Sequence, residues 1–79
     1  MRKVILYTKA ECHLCEIAKE RVNNVRKKVP FEFEEIDITQ DPRLFQRYQH
    51  KIPVVEMDGV EVFVYRVSEK LLVKRLRGG

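Results

Sequence analysis

The chain has little cysteine, proline, glycine or histidine: its 79 residues include two Cys, three Pro, three Gly and two His. Two cysteines cannot build the dense disulfide framework of a secreted miniprotein, and in a reducing compartment a close pair is more often catalytic or metal-binding. No apolar run approaches the ~20 residues needed to cross a bilayer. The start, Met1-Arg2-Lys3, is basic, but only Val4, Ile5 and Leu6 are aliphatic before Tyr7, Thr8 and Lys9, too few for the apolar core of a secretory signal. The expectation is a cytoplasmic monomer with no membrane contact. No linker, internal repeat or low-complexity stretch divides the chain, so residues 1–79 are expected to form one small domain.

Hydrophobic residues make up 44% and charged residues 35%, a globular balance rather than a disordered one. Sixteen Lys and Arg against twelve Asp and Glu leave a net charge of +4. The two signs are interleaved through most of the chain, which describes a solvated surface rather than a nucleic-acid face.

Val4-Ile5-Leu6-Tyr7 reads as a first strand buried on both faces. Leu14, Ala18, Val22, Val25 and Val29 then recur in steps of three and four along one helical face, up to Pro30, which stops the helix. Residues 31–38 read as a strand in which Phe31 and Phe33 are out of phase with Ile36 and Ile38, so a bend or a late start is expected. Asp41-Pro42 is a helix start with Leu44 and Tyr48 on one face. After Pro53, residues 54–57 and 60–65 form a hairpin around Asp58-Gly59. Ser68 caps a last helix carrying Leu71, Leu72 and Leu76, with basic residues toward its carboxyl end.

The order is β-α-β-α-β-β-α. A right-handed crossover makes the first two strands parallel, and the hairpin adds two more to the same sheet. The expected fold is therefore α/β and thioredoxin-like, a four-stranded mixed sheet with helices on both faces. Cys12-His13-Leu14-Cys15 falls where such a sheet places chemistry, at the carboxyl end of a strand leading into a helix.

Residues three apart on a helix lie about 5 to 6 Å from each other at Cβ, within reach of a disulfide once the first turn adjusts. At the start of a helix, unpaired N–H groups and the positive end of the dipole favour a thiolate. Cys12 is thus expected to have a lowered pKa, in the range of roughly 3.5 to 7.5 found for such motifs, and to be the nucleophile. Cys15, one turn in and turned toward the sheet, is expected to be more buried and to resolve the mixed disulfide.

Tyr7-Thr8-Lys9-Ala10-Glu11-Cys12-His13-Leu14-Cys15, followed by Lys51-Ile52-Pro53-Val54-Val55 before a hairpin, resembles the glutaredoxins and short glutaredoxin-like proteins over nearly the whole chain. The resemblance implies a disulfide reductase in which Cys12 attacks, Cys15 resolves and Pro53 is a cis proline facing them. It also places Lys9 where glutaredoxins carry a basic residue that meets a glutathione carboxylate. A proline opening a strand lacks the N–H of the ladder, and a sharp turn there leaves the main chain of Ile52 free to pair with an extended substrate. His13 adds positive charge beside Cys12 when protonated. The expected substrate-binding residues are Lys9, His13, Leu14, Ile52 and Pro53; Tyr7 reads as strand packing.

Two features depart from the glutaredoxins. His13 and Leu14 replace the usual Pro and aromatic between the cysteines. The Gly-Gly and acidic residue that hold the γ-glutamyl end of glutathione have no counterpart in residues 63–68, where Tyr65 and Arg66 are bulky. The expectation is a protein with no bound cofactor that reduces protein or small-molecule disulfides, with glutathione or a thioredoxin-reductase-type partner as reductant.

The rival reading is a domain that binds or carries zinc, copper or an iron-sulfur cluster through the same pair. Zinc wants four ligands, so one pair per chain would require a site shared in a dimer. Metal-carrier domains of this size run β-α-β-β-α-β, which the Asp41-Pro42 helix and the late hairpin do not fit. The ending Arg75-Leu76-Arg77-Gly78-Gly79 resembles the tail of ubiquitin, but here it follows a helix rather than a strand, as helix termination does.

Overall fold

The computed structural model describes residues 1–78. Its elements are β1 (Lys3–Thr8), α1 (His13–Arg26), β2 (Glu32–Asp37), a 3-10 turn (Ile38–Gln40), α2 (Pro42–Tyr48), β3 (Val54–Met57), β4 (Val60–Val64) and α3 (Glu69–Leu76). The sheet order is β2-β1-β3-β4, with β1 parallel to β2 and antiparallel to β3, and β3 antiparallel to β4. This is the expected α/β thioredoxin-like arrangement. The apolar run of β1 lies at its centre and serves both faces: Val4 and Leu6 join one core, Ile5 and Tyr7 the other.

The first core is filled by Val4, Leu6, Ala18, Val22, Val25, Phe31, Val55, Met57, Val67 and Leu72, between the sheet and α1 with α3. On the opposite face α2 and the 3-10 turn enclose Tyr7, Cys15, Ile38, Tyr48, Ile52 and Val54. The phase change in residues 31–38 follows from this division. Pairing from Lys3 opposite Glu32 to Thr8 opposite Asp37 is unbroken, so no bend occurs. Phe31 and Phe33 instead pack with the first core and Ile36 and Ile38 with the second.

Other details differ from expectation. α1 ends at Arg26, ahead of Pro30, and the N–H groups of Lys28 and Val29 both turn back to the Val25 carbonyl at 2.9 Å. Its buried stripe is Cys15, Ala18, Val22 and Val25. Leu14 lies off that stripe and Leu71 off the buried face of α3, 44% and 52% exposed.

The chain ends of the helices are closed by side chains. Asp41 Oδ1 accepts the Arg43 N–H at 2.9 Å, with Pro42 in the first turn, and Ser68 Oγ accepts the Leu71 N–H at 3.2 Å. Asp58 and Gly59 have φ of 51° and 87°, the pair of positive values that a two-residue hairpin matching strand twist requires. The β3–β4 register shifts between Val55 and Glu56: Val55 faces Phe63 while Glu56 faces Glu61. Of the terminal Arg-Leu-Arg-Gly-Gly, Arg75 and Leu76 are inside α3 and Gly78 has φ of 90°, a helix terminus; Gly79 lies outside the described residues.

Candidate active site

β1 ends at Thr8, and residues 9–11 turn the chain into α1 through Glu11, whose φ is 56°. Cys12 is the N-cap of α1, with extended backbone angles, and its Sγ accepts the Cys15 N–H at 3.2 Å. The two cysteines form a disulfide with Cα atoms 5.2 Å apart. Cys15 is only 3% exposed and lies among Tyr7, Ile38, Tyr48, Ile52 and Val54, whereas Cys12 is half-buried. In the reduced chain an N–H aimed at Sγ and the amino end of a helix both favour negative charge on Cys12.

The Ile52–Pro53 peptide is cis, and Pro53 is fully buried. Ile52 packs into the cluster that contains both cysteines, so the segment before β3 and the amino end of α1 come together, although 36 residues lie between Cys15 and Ile52. Lys9 is exposed and borders a cavity of about 200 Å3 whose walls include Cys12, Cys15, Lys19 and Glu35. Leu14 borders a different cavity, of about 300 Å3, with Ile17, Arg21, Tyr65 and Arg66. His13, the first residue of α1, is exposed. Of the expected substrate-binding residues, Ile52 packs with the pair in the second core and Pro53 is buried next to it in the chain, while Lys9 and Leu14 line separate cavities.

Several neighbours of the pair were not singled out from the sequence. Glu35 Oε1 lies 2.9 Å from Lys19 Nζ, and Thr8 Oγ1 donates to Glu35 Oε2 at 3.4 Å. Lys19 is four residues after Cys15, one helical turn on, which was the available signal. Glu35 sits opposite Leu6 on the neighbouring strand, a pairing that only the register reveals. Under the second core, Tyr7 stacks on Tyr48 with ring centroids 4.5 Å apart, and its phenol donates to Glu56 Oε2 at 3.2 Å. Burial, then the Glu56 carboxylate, pushes the Tyr7 phenol up to about 12, and burial likewise raises Tyr48. Both rings are neutral and packed at ordinary pH.

Among the described residues, no three His, Cys, Asp or Glu side chains gather into a possible metal site, and no helix is long and apolar enough to cross a membrane.

A cysteine pair at the amino end of α1, on a mixed four-stranded sheet with a cis proline opening β3, defines a thioredoxin-fold protein and points to thiol-disulfide redox chemistry. The glutaredoxin-like domain family (DUF836) matches residues 3–77, and the chain belongs to it. Protein Ne2328 from Nitrosomonas europaea has a similar structure, with TM-score 0.80 and 28% identity over 94% of this chain and 89% of that one. Structural genomics target XcR50 from X. campestris is similar at TM-score 0.78 and 26% identity, over 96% of this chain and 97% of that one. Mitochondrial thioredoxin 3 from Saccharomyces cerevisiae, in its oxidized form, shares the fold at TM-score 0.71 and 16% identity, over 96% of this chain and 76% of that one.

Proposed function

We propose that the protein is a disulfide reductase working by a dithiol mechanism. The observation that carries this reading is the asymmetry of the pair: Cys12 is half-buried at the helix N-cap with an N–H on its sulfur, and Cys15 is buried beneath it. The Cys12 thiolate attacks one sulfur of a substrate disulfide, and the other sulfur leaves as a thiolate that takes up a proton. Cys15 then loses its proton and attacks Cys12 Sγ. The second substrate thiolate departs and is protonated, and the Cys12–Cys15 bond holds the oxidising equivalent of two electrons. Two thiols of glutathione, or a thioredoxin-reductase-type partner, return the pair to the dithiol.

In this scheme Ile52 and Pro53 flank an extended substrate and Leu14 contacts it. Lys9 adds positive charge at the rim of the pair, and His13 does so when protonated. The substrates are protein or small-molecule disulfides, the protein acts as a cytoplasmic monomer, and no cofactor, nucleic acid or membrane takes part. A cytoplasmic reductant has a potential near about −270 mV rather than the roughly −120 mV of a strong oxidant. Turnover of a disulfide with glutathione, glutathione reductase and NADPH, compared with thioredoxin reductase and NADPH, identifies the donor; inactivity with both overturns the proposal.

A further inference from the structure

Tyr65 stands directly after β4 with φ of 70°. In this left-handed region the Cβ of an L residue crowds the following carbonyl, whereas glycine has no such penalty. A tyrosine persists there only when its surroundings hold it. Two bonds do so, and both run to the segment before β3. The Tyr65 N–H donates to the Pro53 carbonyl at 2.8 Å, and the phenol donates to the His50 carbonyl at 2.6 Å.

The β3–β4 pairing ends at Val54 opposite Val64, so the first bond carries the ladder one residue further, onto the proline. The second reaches beyond the proline to the turn that follows α2. Between the two anchors lie Lys51 and Ile52, and Ile52 packs with both cysteines. Tyr65, 47% exposed, also borders the cavity of about 300 Å3 beside Leu14. One residue thus holds the cis-proline segment through its polar atoms and also borders the cavity beside Leu14, the residue before Cys15.

We propose that Tyr65 is a positioning and specificity-determining residue for disulfide exchange. Its phenol fixes residues 50–53 beside the pair, and its ring sets how bulky a chain can lie along the Leu14 cavity while its disulfide reaches Cys12. This rests on the disulfide-reductase reading, because an extended substrate would pair with the main chain at Ile52.

Two variants separate the two roles. Tyr65→Phe removes only the phenol bond, whereas Tyr65→Gly keeps the main-chain bond, suits the φ and empties the place of the ring. Each pre-reduced protein is mixed with insulin, a bulky disulfide, or with hydroxyethyl disulfide, a small one, in single turnovers that need no reductase. In Tyr65→Phe the half-saturating insulin concentration rises about fivefold while the limiting rate changes less than about twofold, the split expected when a positioning hydrogen bond is lost. Amide exchange at Lys51, Ile52 and Val54 quickens about tenfold, with the α1 amides unchanged. Tyr65→Gly shares that quickening and favours insulin over the small disulfide about threefold more than Tyr65→Phe does, because the groove is wider.

Unchanged half-saturation together with unchanged exchange in Tyr65→Phe would overturn the positioning role. Equal substrate preference in the two variants would overturn the groove role. A wild-type protein that reduces neither disulfide would refute the reductase reading itself, and amide exchange would still decide whether Tyr65 holds the segment.

Discussion

Between the sheet and α1 with α3 the buried side chains are aliphatic apart from Phe31 and Met57, while the α2 face buries two tyrosines and a cysteine beside Ile38, Ile52 and Val54. The buried side chains of the first face carry no oxygen or nitrogen to satisfy, so their burial is almost pure hydrophobic gain. The second places a phenol against Glu56, a disulfide at its rim and a proline at its edge. Stability and chemistry are thus divided between the two sides of one sheet, and β1 belongs to both. Alternate residues of a single strand supply the packing that holds the domain and the floor beneath the cysteines.

The sharpest break of that division is at the pair itself. Cys12→Ser is expected to reduce disulfide turnover to the uncatalysed background, while the reduced wild type and the variant unfold at the same denaturant concentration. Cys15→Ser keeps the attacking thiol and loses the resolving one, so the mixed disulfide accumulates and appears in the mass spectrum as protein plus substrate half. Release of both substrate halves at the wild-type rate by Cys15→Ser would refute the assigned order of attack.

On the other side, Leu6→Ala removes a fully buried side chain from the aliphatic core and should cost about 2 to 5 kcal/mol, a large share of the stability of so small a domain. Urea unfolding measures it. A loss under about 1 kcal/mol would mean that α1 and α3 close over the gap and that the first face is less rigid than its packing implies.

A smaller effect belongs to α2, a helix of seven residues. Asp41→Ala removes its cap and should cost about 1 kcal/mol. Faster amide exchange is expected in α2 and around Ile52, with α3 unaffected. Equal quickening on both faces would show that the two cores unfold as a unit.

The smallest effect is in alkali. With its phenol raised to about 12 from an ordinary 10, Tyr7 keeps its proton in the folded chain over a range in which the unfolded chain loses it. Its contribution to stability is therefore fully present below pH 10 and is lost as pH rises toward about 12. Tyr48 is displaced in the same direction. Tyr7→Phe should flatten the fall, and tyrosinate absorbance should show Tyr7 ionising well above a free tyrosine. A Tyr7 titration near 10 would mean that the second core admits water.

Fold and chemistry were legible in the sequence to different depths. Element order came from local signals that act at short range: the β1 apolar run, the Asp41-Pro42 and Ser68 caps, and the Asp58-Gly59 turn. Cys12 and Cys15 were legible for the same reason, since their spacing and their place after a strand are local facts. Leu14 was misplaced because a stripe of period 3.6 passes near both residue 14 and residue 15, and only the packed core chooses Cys15. Phe31 and Ile36 looked discordant because one strand was serving two cores. Glu35 carried no signal and Tyr65 showed only as a bulky residue after the hairpin, because their neighbours are set by register and by long-range hydrogen bonds, which no window of sequence contains.

The shift at Val55 and Glu56 makes the length of an edge strand matter more than its composition. Ahead of the shift Glu61 turns toward α2 and the turn after it, where Arg47 lies 3.7 Å and Lys51 Nζ 2.8 Å from its carboxylate; at and beyond it Val62 and Phe63 both pack toward α1 and α3. Exchanging one β-branched residue for another along β4 leaves that arrangement intact. Val62 is the extra residue at the shift, so a single deletion would be absorbed by a regular ladder, whereas a single insertion beyond the shift would turn Phe63 away from the aliphatic core or carry Tyr65 off the Pro53 carbonyl. A short strand at the margin of the sheet thereby acts as a ruler with one residue of slack: the count from Gly59 to Tyr65 sets how far along the cis-proline segment its grip can fall.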